Sequence, residues 1–213
     1  WAHEARPPGS RMALITISGG PGCREEEVAR LAAQALAFEM VSRTRLEALV
    51  REEFGSETPV AGKAYASALL SVLARLATEH HLVVCSPGVE NLFKSFVGVI
   101  RVQVVAPEYR RIGALMLDRR LSRPAARRLL RELEAAERAE RKRRFGRATA
   151  PPVLFDLVLN AEFLEPEQMA ELIRAAAAAR NLAEQGLLSA AADAQLQFQA
   201  RLRLSKYGIV PAG

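Results

Sequence analysis

Ala13-Leu14-Ile15-Thr16-Ile17-Ser18-Gly19-Gly20-Pro21-Gly22-Cys23-Arg24-Glu25-Glu26-Glu27-Val28 is the stretch on which the fold turns. Its first six residues are a short apolar run of the kind that forms a buried strand. Gly19, Gly20 and Gly22 then force a turn, because glycine tolerates backbone angles that other residues avoid. From Glu25 to Ala37 the apolar positions Val28, Leu31, Ala32 and Leu36 recur at helical spacing. Strand, glycine-rich turn and helix are the first half of an α/β unit. At such a turn the backbone N–H groups and the helix N-terminus make an anion-binding nest.

Downstream the pattern repeats the alternation. Phe38–Val41 reads as a short second strand, 44–54 and 63–79 as helices, and 55–62 as a loop interrupted by Pro59. His81–Cys85 and Val99–Ala106 are largely apolar, as parallel strands covered on both faces are. Helices follow at 108–117 and from Ser122, whose hydroxyl is placed to cap the helix, with Pro124 in its first turn. Ala125, Leu129, Leu130 and Leu133 are expected inside. The continuation 137–144 is almost wholly polar and reads as a solvent-exposed helix or hinged lid spanning about 118–150. Residues 145–152 read as a loop, Val153–Asn160 as the last strand, and 165–178 as a helix packing Met169, Leu172 and Ile173. The fold class expected is a three-layer α-β-α domain with an open parallel sheet, over 12–178.

The flanks are read separately. Residues 1–11, with Pro7, Pro8 and Gly9 and no apolar core, read as a flexible leader rather than a signal peptide. In the C-terminal extension, 179–213, Ala194, Leu196, Phe198 and Leu202 alternate with polar residues as in a strand. Leu187, Ala191, Ala194, Phe198 and Leu202 also form a helical stripe. Good helix formers dominate, so a mostly helical extension is expected, one that could pair two copies into a homodimer.

Bulk composition excludes several classes. Half of the 213 residues are apolar and a quarter charged, an ordinary globular balance. No apolar run approaches the roughly 20 residues that span a bilayer, so no membrane partner is expected. Cys23 and Cys85 make no disulfide framework; a reduced pair in a cytoplasmic protein is the plain reading, and no metal-ligand spacing accompanies them. The formal charge is +6, and residues 101–150 alone hold 15 Lys plus Arg against 6 Asp plus Glu. Such a segment attracts polyphosphates or nucleic acid, or is simply solvated helix surface. No aromatic ladder accompanies these arginines, so a nucleic-acid partner is not the expectation.

The turn itself departs from the usual phosphate loop. A P-loop follows its glycines with a lysine that reaches the phosphates and a Ser or Thr that touches magnesium. Here Cys23-Arg24-Glu25-Glu26-Glu27 stands instead. Three carboxylates in a first helical turn favour the helix dipole, and they repel a bound phosphate. Arg24 is a planar fork in place of a compact ammonium.

Taken in order, these pieces resemble the cytidylate kinase-like family within the P-loop nucleoside monophosphate kinases. The resemblance lies in Ile15-Thr16-Ile17-Ser18, Gly22-Cys23-Arg24-Glu25, Val104-Val105-Ala106-Pro107-Glu108-Tyr109-Arg110-Arg111 and Leu121-Ser122 with Ala126-Arg127-Arg128. It continues in Arg138 with Arg143-Arg144-Phe145-Gly146, and in Phe155-Asp156-Leu157-Val158-Leu159-Asn160. It spans about 13–175. What it implies is transfer of the terminal phosphoryl of ATP, with magnesium, to a nucleoside monophosphate or other small phosphate acceptor. Gly19, Gly20, Gly22, Cys23 and Arg24 would hold the donor phosphates. Arg110, Arg138 and Arg143 would surround the transferring group when the lid closes. Asp156 is expected to be structural, and Asn160 to cap the turn before the last helix. Ser42 stands where relatives carry an aspartate, and Cys85-Ser86-Pro87 where they carry a glycine-flanked arginine. These departures keep a second reading open, a catalytically degenerate nucleotide-binding or scaffold protein of the same fold.

Overall fold

A computed structural model describes residues 13–54, 63–93 and 98–179. The readings of 1–11, of the loop at 55–62 and of the extension beyond 179 lie outside the described residues. Five strands, β1 (Leu14–Gly19), β2 (Glu39–Ser42), β3 (Leu82–Cys85), β4 (Val99–Val105) and β5 (Leu157–Asn160), form one sheet in the order β2-β3-β1-β4-β5. All four pairings are parallel, with Leu14 opposite both Leu82 and Val99. β1 is therefore the sheet's centre, and every one of its residues is buried.

Side chains alternate across the sheet and build two cores. On one face Ile15, Ile17, Val83, Val102 and Leu159 pack with α1 (Glu25–Leu36) and α6 (Pro166–Ala179). On the other, Leu14, Leu82, Val84 and Val99 pack with α2 (Arg43–Phe54) and α3 (Lys63–Glu79). The three-layer architecture expected from the sequence is observed. His81 precedes β3 and is structural: its Nδ1 accepts the Ala13 N–H at 2.9 Å, and its ring stacks on Phe38. α4 (Glu108–Arg119) and α5 (Arg123–Phe145) form a hairpin over the carboxyl ends of the strands, held by Ile112, Leu115, Ala126 and Leu130.

Several expectations need correction. The last strand begins at Leu157; residues 152–154 form a 3-10 turn, and Asp156 instead accepts from the Arg101 N–H and guanidinium at 2.8 and 3.0 Å. Leu133 and Leu172 are 37% and 45% exposed, because Ala126 with Leu130, and Ala170 with Ile173, take the inner stripes of their helices. Ser122 occupies the N-cap position of α5 without a capping hydrogen bond from its hydroxyl. The largest correction concerns 137–144. It is helical, as one of the two readings had it, and forms the second half of one 23-residue helix, but it is not wholly solvent-exposed: Arg141 is buried.

That burial is polar. Arg141 reaches Glu90, which is 1% exposed, in a 2.6 Å ion pair; the Glu90 carboxylate also accepts the Gly88 N–H at 2.9 Å. Arg144 bonds Glu140 at 2.8 Å and Glu47 at 3.1 Å and lies 3.9 Å above the Tyr65 ring. Arg43 of α2 closes the group on Glu140. Charged side chains therefore weld the end of α5 to α2, α3 and the turn after β3.

Candidate active site at the end of the first strand

The turn between β1 and α1 is tight. The Cys23 N–H donates to the Gly20 carbonyl at 3.0 Å, and Gly22 takes φ 81°. A Cβ at Gly22 would lie 2.7 Å from the Arg111 carbonyl, so backbone meets backbone here and only glycine fits. Arg111 of α4 fastens the turn from outside: its Nε donates to the Pro21 carbonyl and its Nη1 to Glu134 Oε1, both at 2.8 Å.

The concave side of the turn holds a carboxyl group. The side chain of Glu25 folds back along β1, so that a Cβ on Gly19 would lie 2.8 Å from the Glu25 Cβ and 3.0 Å from its Oε2. Its carboxylate accepts a hydrogen bond from its own backbone N–H, one of the free donors of the α1 N-terminus. Burial pushes this carboxyl up to about 7, against the pull of that hydrogen bond; Glu137 and Glu26 push it the same way and Arg111 opposes them. One of the N–H donors that a polyanion at this helix end would use is thus taken by the protein's own carboxylate.

Around it the charges are sorted unevenly. A cavity of ≈ 400 Å³ between the turn, the end of β3 and α5 is lined by Glu25, Glu26, Glu137 and Glu140 with Arg43 as its single cation. Burial raises Glu137 as well. A second cavity of ≈ 370 Å³, between the ends of β1 and β4 and α5, has Arg111, Arg138 and Arg141 facing Glu134 and Glu137. A wider groove of ≈ 1240 Å³ runs past Arg24, Tyr109, Arg110, Leu164 and Met169.

Gly19, Gly20, Gly22 and Cys23 form the turn as the sequence suggested. Arg24 does not enter it. It sits at the N-cap in a left-handed conformation, φ 61°, and its guanidinium binds Glu27 at 2.8 Å and Glu165 at 3.3 Å on the α1–α6 side. Nor are the three lid arginines brought together. Arg110 donates to the Glu162 carbonyl, Arg138 leans on Glu134 at 3.7 Å beside the smaller cavity, and Arg143 points outward, 3.9 Å from Glu140. Cys23 and Cys85 are free and buried, and burial raises both thiols. Asn160 does cap its turn, accepting the Glu162 N–H at 3.0 Å.

The sequence reading missed Arg111, one residue from the arginine it selected, and the Arg141–Glu90 pair. A signal for the latter existed: Ala126, Leu130, Glu137, Arg141 and Arg144 continue one helical stripe, so the two arginines had to face inward. Among the described residues no group of His, Cys, Asp or Glu could hold a metal, and no helix is long and apolar enough to cross a membrane.

Comparison with solved structures places the fold. A protein from Eubacterium ventriosum described as uncharacterized superposes with TM-score 0.65 at 11% identity, over 78% of this chain and 98% of that one. A protein called APE1195 gives 0.51 at 16%, over 79% and 98%. A shikimate kinase from Acinetobacter baumannii gives 0.47 at 14%, over 80% and 96%. No curated protein matches. The family model for the cytidylate kinase-like family matches residues 50–162, a stretch that runs from α2 to the turn after β5 and begins beyond the glycine-rich turn. With more than half of its length matched, the chain belongs to the cytidylate kinase-like family.

Proposed function

We propose that this chain is a catalytically degenerate member of its family, a binding or scaffold protein in which the Glu25 carboxyl stands where donor phosphates would lie. The observation that carries this is the fold-back of Glu25 over Gly19, with Oε2 3.0 Å from the position of a Cβ. The residues present do not fit ATP and magnesium. A triphosphate would have to displace a carboxylate and then face Glu26, with no lysine in the turn and Arg24 held by Glu27 and Glu165. The cavity between the turn, the end of β3 and α5 agrees: four carboxylates against Arg43 disfavour a nucleoside monophosphate, whose phosphate is itself an anion.

Calorimetry with magnesium–ATP tests the reading. The folded wild-type chain at pH 8 should give no heat and no competition up to about 10 mM ATP, weaker than any working kinase needs. Glu25→Ala, which empties the nest, should bind ATP or inorganic phosphate measurably more tightly. Turnover of ATP by the wild-type chain with CMP, dCMP, UMP or a non-nucleotide acceptor would restore the phosphotransferase reading and end this one.

A further inference from the structure

The structure divides the basic segment of the sequence into two sets with different tasks. Arg101, Arg111, Arg141 and Arg144 turn inward and hold carboxylates at 2.6 to 3.1 Å. The remainder face solvent. Arg119, Arg120, Arg123, Arg128, Arg131 and Lys142 are exposed and make no ion pair among the described residues. Arg127, Arg138 and Arg143 touch carboxylates only at 3.6 to 3.9 Å. Between 119 and 147 the single exposed acid is Glu132, since Glu134, Glu137 and Glu140 point toward the core. Elsewhere Arg24, Arg45, Arg75 and Arg174 pair with carboxylates, while the exposed Arg30 and Arg51 bond only the Gln34 amide and the Glu47 carbonyl.

We propose that the outward face of α5, with the end of α4, docks on the phosphate backbone of a nucleic-acid duplex without reading its sequence. Arg128, Arg131 and Lys142 lie about 100–160° around α5 from the buried Leu130 and within about 60° of one another, so they address one surface together. Arg123 to Lys142 covers about 28 Å of helix axis, the length over which each strand of a duplex presents about eight phosphates. Like charges crowded on one hairpin repel each other, and a regular polyanion removes that repulsion while releasing its own counterions.

The chemistry of the face selects the partner. Between the cations of α5 stand Ala135 and Ala139, and the exposed apolar side chains nearby, Leu117 at the end of α4 and Leu133 on another side of α5, are single residues with no aromatic beside them to make the clustered anchor that a protein interface needs. The exposed aromatics Tyr109 and Phe163 lie elsewhere, at the start of α4 and behind β5, and Tyr109 is tied to Glu162. The missing aromatic ladder argues against stacking on single strands. It says nothing against a backbone contact made by charge alone, which is the ordinary basis of sequence-independent duplex binding.

The test is fluorescence anisotropy of the full chain with a labelled 20-base-pair DNA duplex, an RNA duplex, and the separated strands. At 50 mM salt a duplex should bind more tightly than its strands. With five phosphates engaged, affinity should fall on the order of 500-fold between 50 and 200 mM salt. The triple variant Arg128→Glu, Arg131→Glu, Lys142→Glu should lose at least about 100-fold, and the neutral Gln triple a smaller but clear share. A charge-matched control, Arg30→Glu, Arg45→Glu, Arg51→Glu on α1 and α2, should lose less than about tenfold. Equal losses in both triples would reduce the effect to net charge and overturn the proposal. So would tighter binding of single strands, equal competition by polyglutamate, or no duplex binding at about 100 µM protein.

Discussion

Two regions of this protein bury carboxylates, and they do so under opposite conditions. At the end of α5, Glu90 and Glu140 each meet a guanidinium within hydrogen-bond distance, Arg141 at 2.6 Å and Arg144 at 2.8 Å. At the glycine-rich turn, Glu25 meets its own backbone N–H, while the charges nearest to it include Glu26 and Glu137. The first site is held by complementary charge. The second is held by the geometry of the turn, against the charges around it. The same residue type thus supports the fold in one place and strains it in the other, and only the first behaves as structural cement.

Removing a partner from the first region should do the most harm. Arg141→Met would leave the Glu90 carboxylate buried with only the Gly88 N–H and the Asn91 amide beside it. Stranding a buried charge in this way costs about 3–5 kcal/mol. In a chain of this length that lowers Tm by roughly 6–20 °C, readable in thermal or urea melts. The double variant Glu90→Gln, Arg141→Met should regain a good part of the loss, because the stranded charge is gone. A loss under about 1 kcal/mol for Arg141→Met would break the comparison at its stronger end.

The second region predicts a gain from the opposite change, and the gain depends on pH. A carboxyl raised to about 7 in the folded state keeps its proton where the unfolded chain, near 4.5, has released it. Stability contributed by this group is therefore present at low pH and lost as pH rises from about 4.5 to 7. The loss is at most about 3 kcal/mol, at about 1.4 kcal/mol for each step of one in pH. Glu137 is shifted the same way, so the informative quantity is the difference between wild type and Glu25→Gln. That difference should be small at pH 5 and favour the variant by about 1–3 kcal/mol at pH 8. A difference that does not change with pH would mean that Glu25 is solvated and the nest open.

Which of these features the sequence could show follows from how far each depends on tertiary contacts. Periodicity is local, so β1, β4, α1 and α3 were legible from Ile15, Val102, Val28 and Leu69 and their neighbours, and alternation of strands with helices pointed to an open parallel sheet, whereas the order of its strands came only with the structure. The repulsion of phosphate by Glu25-Glu26-Glu27 was legible too, since it needs only charge and the helix N-terminus. Which glutamate folds inward was not. That depends on Gly19 being bare and on Arg111 arriving from α4, ninety residues away in the chain. The polar end of α5 misled for a related reason: solvent exposure was inferred from composition, although the stripe through Ala126, Leu130 and Arg141 points to the core. A charged residue on an inner stripe is buried when its partner waits on another element, and Glu90 lies 51 residues away.

The smallest effect sharpens the first region further. Arg144 is bound by Glu47 and Glu140 and lies over the face of Tyr65, so part of its anchoring is a cation–π contact at 3.9 Å. Tyr65→Phe keeps that face and should cost little. Tyr65→Leu keeps an apolar side chain and loses the ring's quadrupole, a contact worth about 0.5–1 kcal/mol near a surface and more when desolvated. With Arg144 only 17% exposed, the Leu variant should be less stable than the Phe variant by about 1 kcal/mol. If the two variants melt together, the carboxylates alone hold Arg144. The clamp on α5 is then purely ionic, and it should weaken with salt as the Tyr65 contact would not.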